Sequence, residues 1–475
     1  MSSSISPLKG YAIEMDQKDE VNAIPRSMLP ARIARPVQST KSIKNITPIS
    51  GSSITSGGQT TVQLPFGAGA GYMKAGSAYL RFRFSATQTA DEFGFAGSCP
   101  SASSLIQRLT VAQNNNVELI NEYGKLVSNI ILPYCTSASY QNNVALMEGG
   151  LGSNAYLSFP LSSGALGTTA YVAGRTQQDC ILGDVRQTFN STGVGGAQAV
   201  ELSVPIYSGL LNNKELSFIP LELMSSPLTI TFDWATVNNA IFALTTAVSE
   251  YACSAIQLVY ESVSPPVEYT NELRAGLMQG RVWSIPYCSV ISAQTQNNSS
   301  VSYNMSLNAS SVDAFFFGAT QSFNANTSTL TSKVFASATG SSIAGDFTTV
   351  NRRLYADGNL INSVPSLNSD TMLVREMLRA VEGGFVSDVY QTPCFSTVGN
   401  NGAVAQVGTL RGQFYAGGFN LKPFFEENLC MAGTPVSVLN FQKDDYSGSD
   451  GILYMYAFTS AIAIIDASGA ISVIR

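Results

Sequence analysis

Adjacent carboxylates are the chain's nearest approach to a reactive constellation. Glu426-Glu427 and Asp444-Asp445 set like acids side by side, the kind of pairing on which glycoside hydrolysis or the binding of a hard cation rests. Neighbouring residues of a strand point to opposite faces, however, and neighbouring acids in a loop are ordinarily just solvated. Gly67-Ala68-Gly69-Ala70-Gly71 has the small-residue density of a phosphate-cradling loop. No Gly-Lys-Ser/Thr follows it and no helix opens after it, so it reads as a loop between two strands. The chain contains no histidine. That absence removes serine and cysteine triads, most zinc sites and imidazole proton relays. Any catalysis would have to run through carboxylates, Lys or Tyr. The sequence assigns no catalytic residue, no metal ligand and no cofactor.

Seven cysteines, Cys99, Cys135, Cys180, Cys253, Cys288, Cys394 and Cys430, are scattered and form no Cys-x-x-Cys pair. An odd, dispersed set implies neither a disulfide framework nor a zinc knuckle. Several sit in apolar stretches, where free Cys behaves as a small hydrophobe. The expectation is reduced core cysteines in a chain made in the cytosol. Met1-Ser-Ser-Ser-Ile-Ser-Pro has no basic and apolar leader, so no secretory signal is expected.

Of 475 residues 45% are apolar but only 12% are charged, with a net charge of −6. The charged share is about half the usual one. A surface of neutral polar side chains suits packing against further copies, since few ions need desolvating when an interface forms. It equally suits a surface β-protein. Against this background residues 1–50 stand out as an extended basic arm: Arg26, Arg32, Arg35, Lys41 and Lys44 occur without an acid between them, broken up by Pro25, Pro30 and Pro36. Prolines preclude a continuous helix. The arm is either solvated or laid on a partner, with nucleic acid or anionic lipid as possible targets.

The elements that must position these residues are mostly strands. Ser77–Ser85 alternates strictly, placing Leu80, Phe82 and Phe84 on one face and Tyr79, Arg81 and Arg83 on the other. Arg81 and Arg83 are therefore candidate contacts to acids of a neighbouring subunit, or a wet face. Arg352-Arg353 has the same two readings, as a subunit contact or a solvated turn. Arg108–Gln113 and Val117–Ile120 flank Asn114-Asn115-Asn116, a hairpin turn that exploits the tolerance of Asn for positive φ. Ile120, Tyr123, Val127 and Ile130 recur at helical spacing, and Thr136–Met147 suggests a second helix. Gly149–Ala199 reads as long loops. Pro227–Trp234 alternates cleanly. Beyond Ser264-Pro265-Pro266 a helix is expected, with Val267, Thr270, Leu273 and Leu277 facing one way. Strands are expected at Arg281–Val290, Ser300–Leu307 and Ala314–Phe317, and at Ile452–Ile465 and Ala470–Ile474 around a turn at Asp466–Gly469. A further helix is capped by Ser369 or Asp370, striped by Leu373, Met377, Leu378 and Val381, and stopped by Gly383-Gly384.

One internal echo organises the whole. Leu223–Phe232 and Cys430–Phe441 both place a Met, a small-residue turn and a Pro before an alternating strand. Each is followed by a strand rich in Tyr and apolar residues, at Ile256–Tyr260 and at Leu453–Phe458. Phe84-Ser85-Ala86-Thr87-Gln88 and Phe317-Gly318-Ala319-Thr320-Gln321 echo in the same way. A domain-sized repeat of short strands, long loops and a few inserted helices points to an all-β chain of two tandem eight-stranded antiparallel jelly rolls. The expected divisions are an arm at 1–50, a first jelly roll at 51–264, a linker helix at 265–280 and a second jelly roll at 281–475.

Ser103–Leu109 followed by Val117–Tyr123, the lead-in Gly280–Tyr287 and the ending Leu453–Val473 resemble stretches of the double jelly-roll major capsid proteins of the polinton-like virus and virophage lineage. The resemblance extends over most of the chain from about residue 50. It implies a homotrimeric, pseudo-hexagonal capsomer tiling the icosahedral shell of a DNA virus, located in the virion. It implies as partners neighbouring capsomers, penton and minor capsid proteins, and the genome or an internal membrane through the arm. The competing class is a two-domain β-sandwich adhesin or carbohydrate-binding protein, which would want exposed aromatic platforms and a secretion signal. A carboxylate-dependent glycosidase would want its acids paired across a cleft.

Overall fold

The computed structural model describes residues 39–87, 93–97, 101–135, 148, 200–212, 218–243, 250–298, 300–320, 351–361, 376–377, 379–381, 416–422, 433–444 and 451–475. The expected helix at Thr136–Met147, residues 369–375 and Leu378 of the later expected helix (whose described residues 376–377 and 379–381 are helical), the loops at Gly149–Ala199, and Arg26, Arg32, Arg35, Glu426, Glu427 and Asp445 lie outside them, as do Cys99, Cys180, Cys394 and Cys430.

In chain order the first half supplies β1 (Thr40–Ile46), β2 (Ile54–Thr55), β3 (Gln59–Gln63), β4 (Tyr72–Lys74), β5 (Tyr79–Thr87), β6 (Phe93–Phe95), β7 (Ile106–Gln113), β8 (Asn115–Asn121), β9 (Val200–Pro205), β10 (Phe218–Ile219), β11 (Thr229–Trp234), β12 (Ile241–Ala243) and β13 (Glu250–Ser264). The second half supplies β14 (Trp283–Gln296), β15 (Ser300–Ala319), β16 (Asn351–Ala356), β17 (Asn359–Leu360), β18 (Gly417–Asn420), β19 (Thr434–Asp444), β20 (Ile452–Ile465) and β21 (Ile471–Ile474). Between β8 and β9 runs α1, an α-turn Tyr123–Leu126, a π-turn Val127–Ile131 and an α-turn Leu132–Cys135. Between β13 and β14 lies α2 (Val267–Met278).

The first half is a sandwich. A sheet ordered β10-β4-β13-β5-β9, with β1 and β2 also on β13, faces a sheet ordered β3-β11-β7-β8. All these pairings are antiparallel. Leu80, Phe82 and Phe84 of β5 and Ile230, Phe232 and Trp234 of β11 are all buried, as their alternation demands. Phe82 and Trp234 meet edge to face at 5.6 Å, a geometry the ring quadrupoles favour. Trp234 satisfies its indole by donating to Thr60 Oγ1 at 2.8 Å. The β7–β8 hairpin turns at Asn114 with φ +60°.

In the second half the strands join in one sheet ordered β14-β20-β15-β19-β16-β17, with β18 on β15 and β21 on β20. Ser300–Leu307 and Ala314–Phe317, expected as separate strands, are a single strand. Its register shifts between Ser306 and Ala309 and again between Ala309 and Val312, with Asn308 at φ +46°. Bulges of this kind bend a strand without ending it. β15 thereby pairs with β19 through its first part and with β20 and β18 through its last.

β20 is the wall between two cores. Tyr454, Tyr456 and Phe458 join the large core of the first half, together with Ile285, Tyr287 and Val290 of β14 and Phe316 of β15. Leu453, Met455 and Ala457 join a second core with Phe315, Phe317, Phe419 and Phe441. A strand covered on both faces is apolar in consecutive positions rather than alternating, which is why Leu453–Ala461 is buried throughout. The repeat is visible in the pairing: β5 lies beside β13 as the end of β15 lies beside β20, with Phe84 opposite Cys253 and Phe317 opposite Met455. The two Pro-led strands are both internal, β11 between β3 and β7 and β19 between β15 and β16.

Candidate interaction surfaces and the seam between the halves

The charged residues singled out by the sequence have different fates. Arg81 and Arg83 do project from the exposed face of β5, but Arg81 finds its acid in its own chain: its Nε donates to Glu201 of β9 at 2.5 Å. Register alone puts that acid one strand away, since Arg81 sits opposite Ser203 and Arg83 opposite Glu201. Lys41 and Lys44 lie on β1, which hydrogen-bonds along β13 from Ile46–Leu258 to Thr40–Ser264. The Lys41 ammonium is 2.9 Å from Glu261 and that of Lys74 3.2 Å from the same carboxylate. Those hydrogen bonds, that from Lys41 foremost, hold Glu261 below the usual carboxylate range. The last residues of the arm are thus part of the first sheet.

Arg352 departs from both of its expectations as a surface residue. It lies on β16, in no turn, and is 2% exposed, with its guanidinium carbon 5.7 Å from the centroid of the Phe317 ring, a cation–π placement. Arg353, next along the strand, is half-buried opposite Gln442 of β19. Asp444 accepts from Ser300 Oγ at 2.9 Å, which closes the end of the β15–β19 ladder. The Gly67–Gly71 segment is the β3–β4 loop, with Gly67, Gly69 and Gly71 at φ +75°, +85° and +73°. Cys135 and Cys253 are buried and Cys288 half-buried, all three as free thiols.

Sequence reasoning missed the outward apolar residues of α2. Thr270 and Leu277 are buried, but Val267, placed with them by periodicity, is 67% exposed. It sits in the first turn, some 60° around the helix from Thr270, and shares the outer stripe with Met278, 79% exposed. Exposed Val282 follows just after the helix, and Ile43 projects from β1. Among the described residues no helix is long and apolar enough to cross a membrane, and no group of acids and Cys is arranged to hold a metal ion. A cavity of about 10 Å³ between Gln107, Glu122, Lys125 and Asn239 has room for about one water. Burial there pulls the Lys125 ammonium down to about 8.

The densest polar chemistry lies where the halves meet. Glu118 of β8 is fully buried and accepts from Ser208 Oγ, from Gly209 N at 2.7 Å and from Leu210 N at 3.4 Å. The Tyr123 hydroxyl accepts from Tyr207 N at 2.8 Å. The spacing Glu118-x-Ile120-x-x-Tyr123 therefore grips a single turn, 207–211, at two points. From the other half Tyr287 Oη donates to the Val117 carbonyl at 2.6 Å, and Arg475 Nη2 donates to the same oxygen at 3.3 Å. Gln113 Nε2 donates to the carbonyls of Ser226 at 3.1 Å and Gly469 at 2.9 Å, while its Oε1 accepts from Ile471 N at 2.5 Å. Tyr456 Oη donates to the Glu122 carbonyl at 3.3 Å. These bonds fasten β14, β20 and β21 to β7, β8 and α1.

No family model and no curated protein matches the chain in sequence. Solved structures do match in fold. A chain of the cryo-EM structure of the Sputnik virophage is 13% identical, with 92% of this chain and 88% of that one covered at a TM-score of 0.57. The Faustovirus major capsid protein is 9% identical, with 94% of each chain covered at 0.55. The mavirus major capsid protein is 12% identical, with 96% of this chain and 94% of that one covered at 0.50. The likeness runs through both halves, and the fold is the double jelly roll.

Proposed function

We propose that the chain is a major capsid protein, a structural unit that assembles as pseudo-hexagonal homotrimers into the icosahedral shell of a DNA virus. The observation that carries this reading is the fold built twice on one chain and fastened across a continuous core, matched over more than nine-tenths of its length by the mavirus and Faustovirus major capsid proteins. Two similar domains per chain let three chains present six similar edges, which a closed symmetric lattice can use. The low charge density supports repeated interfaces of modest size. In this reading residues 51–264 and 281–475 are the two jelly rolls and 265–280 the linker.

The proposal extends to the virion as the chain's location and to penton and minor capsid proteins as neighbours. It also gives the part of the basic arm that precedes β1 the inner side of the shell, toward genome or membrane. Among the described residues, Arg83 and the outer stripe of α2 are surface groups placed for contacts between subunits. The adhesin alternative finds no such support from similar folds.

Native mass spectrometry with light scattering on the purified chain tests the reading. The expected species is a trimer of three 50.4 kDa chains, converting to larger shells at high protein and salt concentration. A stable monomer that binds oligosaccharides would overturn it.

A further inference from the structure

We propose that residues 24–38, the segment leading into β1, dock on the outward face of α2 in their own chain, with apolar side chains on its exposed stripe and arginines against its acids. The proposal is independent of the capsid reading and refines it. A neighbouring subunit at this face meets α2 with the arm laid along it, and residues 1–23 are left for the interior of a shell.

The place where the chain enters the fold carries the argument first. β1 pairs antiparallel with the end of β13, Thr40 opposite Ser264, so the chain before Thr40 heads the way β13 leaves, toward α2. Val37 stands three residues before Thr40 as Val267 stands three after Ser264. Pro25, Pro30 and Pro36 favour an extended chain, which advances about 3.1 Å per residue against about 1.5 Å in a helix. About six residues of arm therefore run the length of the 12-residue α2.

The surface met there is apolar and acidic. Val267 and Met278 share one stripe of the helix at 67% and 79% exposure, and Val282 follows at 53%. Ile24, Met28, Leu29, Ile33 and Val37 of the arm supply side chains of the same kind, and covering the stripe removes apolar area from water. Exposed Glu268 and Glu272 lie one turn apart, a like-charge spacing that weakens a helix. Neither forms an ion pair, with Arg281 or any other base, among the described residues. Arg274 of the same helix donates instead to the Glu222 carbonyl at 2.9 Å. The arm brings Arg26, Arg32 and Arg35 with no acid from residue 21 to residue 44. An anionic lipid surface or a nucleic acid would be repelled by the same two carboxylates, which favours the arm as the occupant.

The test is photo-cross-linking in the full-length chain with benzoylphenylalanine in place of Met278. This chain is co-expressed with an excess of an unreactive one whose arm is mass-marked by Ile33→Val. Mass spectrometry should find cross-links to residues 24–38 in the unmarked arm alone. E268K combined with E272K should lower their yield about fivefold, and adding R26E, R32E and R35E should restore it. Cross-links to the marked arm would make a second copy the occupant and overturn the proposal, as would cross-links only outside 24–38 or a yield indifferent to charge reversal. Should the charge-reversed helix fail to fold, hydrogen exchange decides: Ile33→Ser with Val37→Ser should speed exchange in peptides from 267–279, and unchanged exchange refutes docking. Both readouts lie within one chain, so they hold for a monomer as for a trimer and stand apart from the fate of the capsid reading.

Discussion

Gly209 rests directly on the carbonyl of Cys288, so closely that no side chain fits between them. The backbone of Gly209 is not left-handed, so the requirement is one of space and not of conformation. This contact brings the 207–211 turn of the first half against β14 of the second.

Gly209→Ala must therefore push β14 off the turn that binds Glu118. A loss of at least about 1–3 kcal/mol is expected from overpacking, read as a lower midpoint in urea unfolding. Gly276→Ala on α2, where the new Cβ would meet only Arg281 Cδ at 3.4 Å, should instead be neutral or stabilise by up to about 1 kcal/mol.

Gln113 spends both ends of its amide on the seam. In Gln113→Glu the replaced nitrogen becomes an oxygen facing the carbonyls of Ser226 and Gly469. The expected cost is about 2–3 kcal/mol at neutral pH. The new carboxyl is raised in the folded state, so the deficit should shrink as pH falls and the acid becomes able to donate. Thermal melts at pH 4.5 and pH 7.5 check this; a deficit independent of pH would count against the geometry.

Tyr287→Phe removes the hydroxyl that donates to the Val117 carbonyl but keeps the ring in the core. Because Arg475 also reaches that carbonyl, the loss should be about 1 kcal/mol and not the larger cost of an orphaned acceptor. Combining it with Arg475→Ala should cost more than the sum of the two single changes, since only then is the carbonyl left bare. Urea unfolding of the two single variants and the double variant checks the coupling.

Glu261 offers the contrasting case of an exposed ionic contact. Glu261→Gln should change stability by less than about 1 kcal/mol despite two lysine partners. Because Glu261 is lowered in the folded state, its contribution is present above the ordinary carboxylate value and lost as pH falls through the folded one. Denaturant unfolding in low and high salt should show the small effect fading as salt screens it.

Local patterns were legible where one side of an element is wet and the other dry. The alternation of Tyr79–Ser85 and Thr229–Trp234, the Asn114 turn and the helical spacing through Tyr123 are all plain in the sequence, because period 2 and period 3.6 are properties of neighbouring residues. The duplication too is written in the chain, as two Pro-led strands each followed by a Tyr-rich one. What sequence could not supply was partnership at a distance. Arg81 belongs to Glu201 because β9 pairs with β5 in one register, and a shift by a single residue would have sent that acid to the other face. Arg352 has the character of a surface residue, and only the docking of β16 lays it over Phe317. Val267 matches the buried stripe by periodicity and yet faces out, because only packing decides how far a buried arc extends. The run Leu453–Phe458 is apolar in the sequence, but that two cores meet on its opposite faces follows from the folded arrangement of strands far apart in the chain.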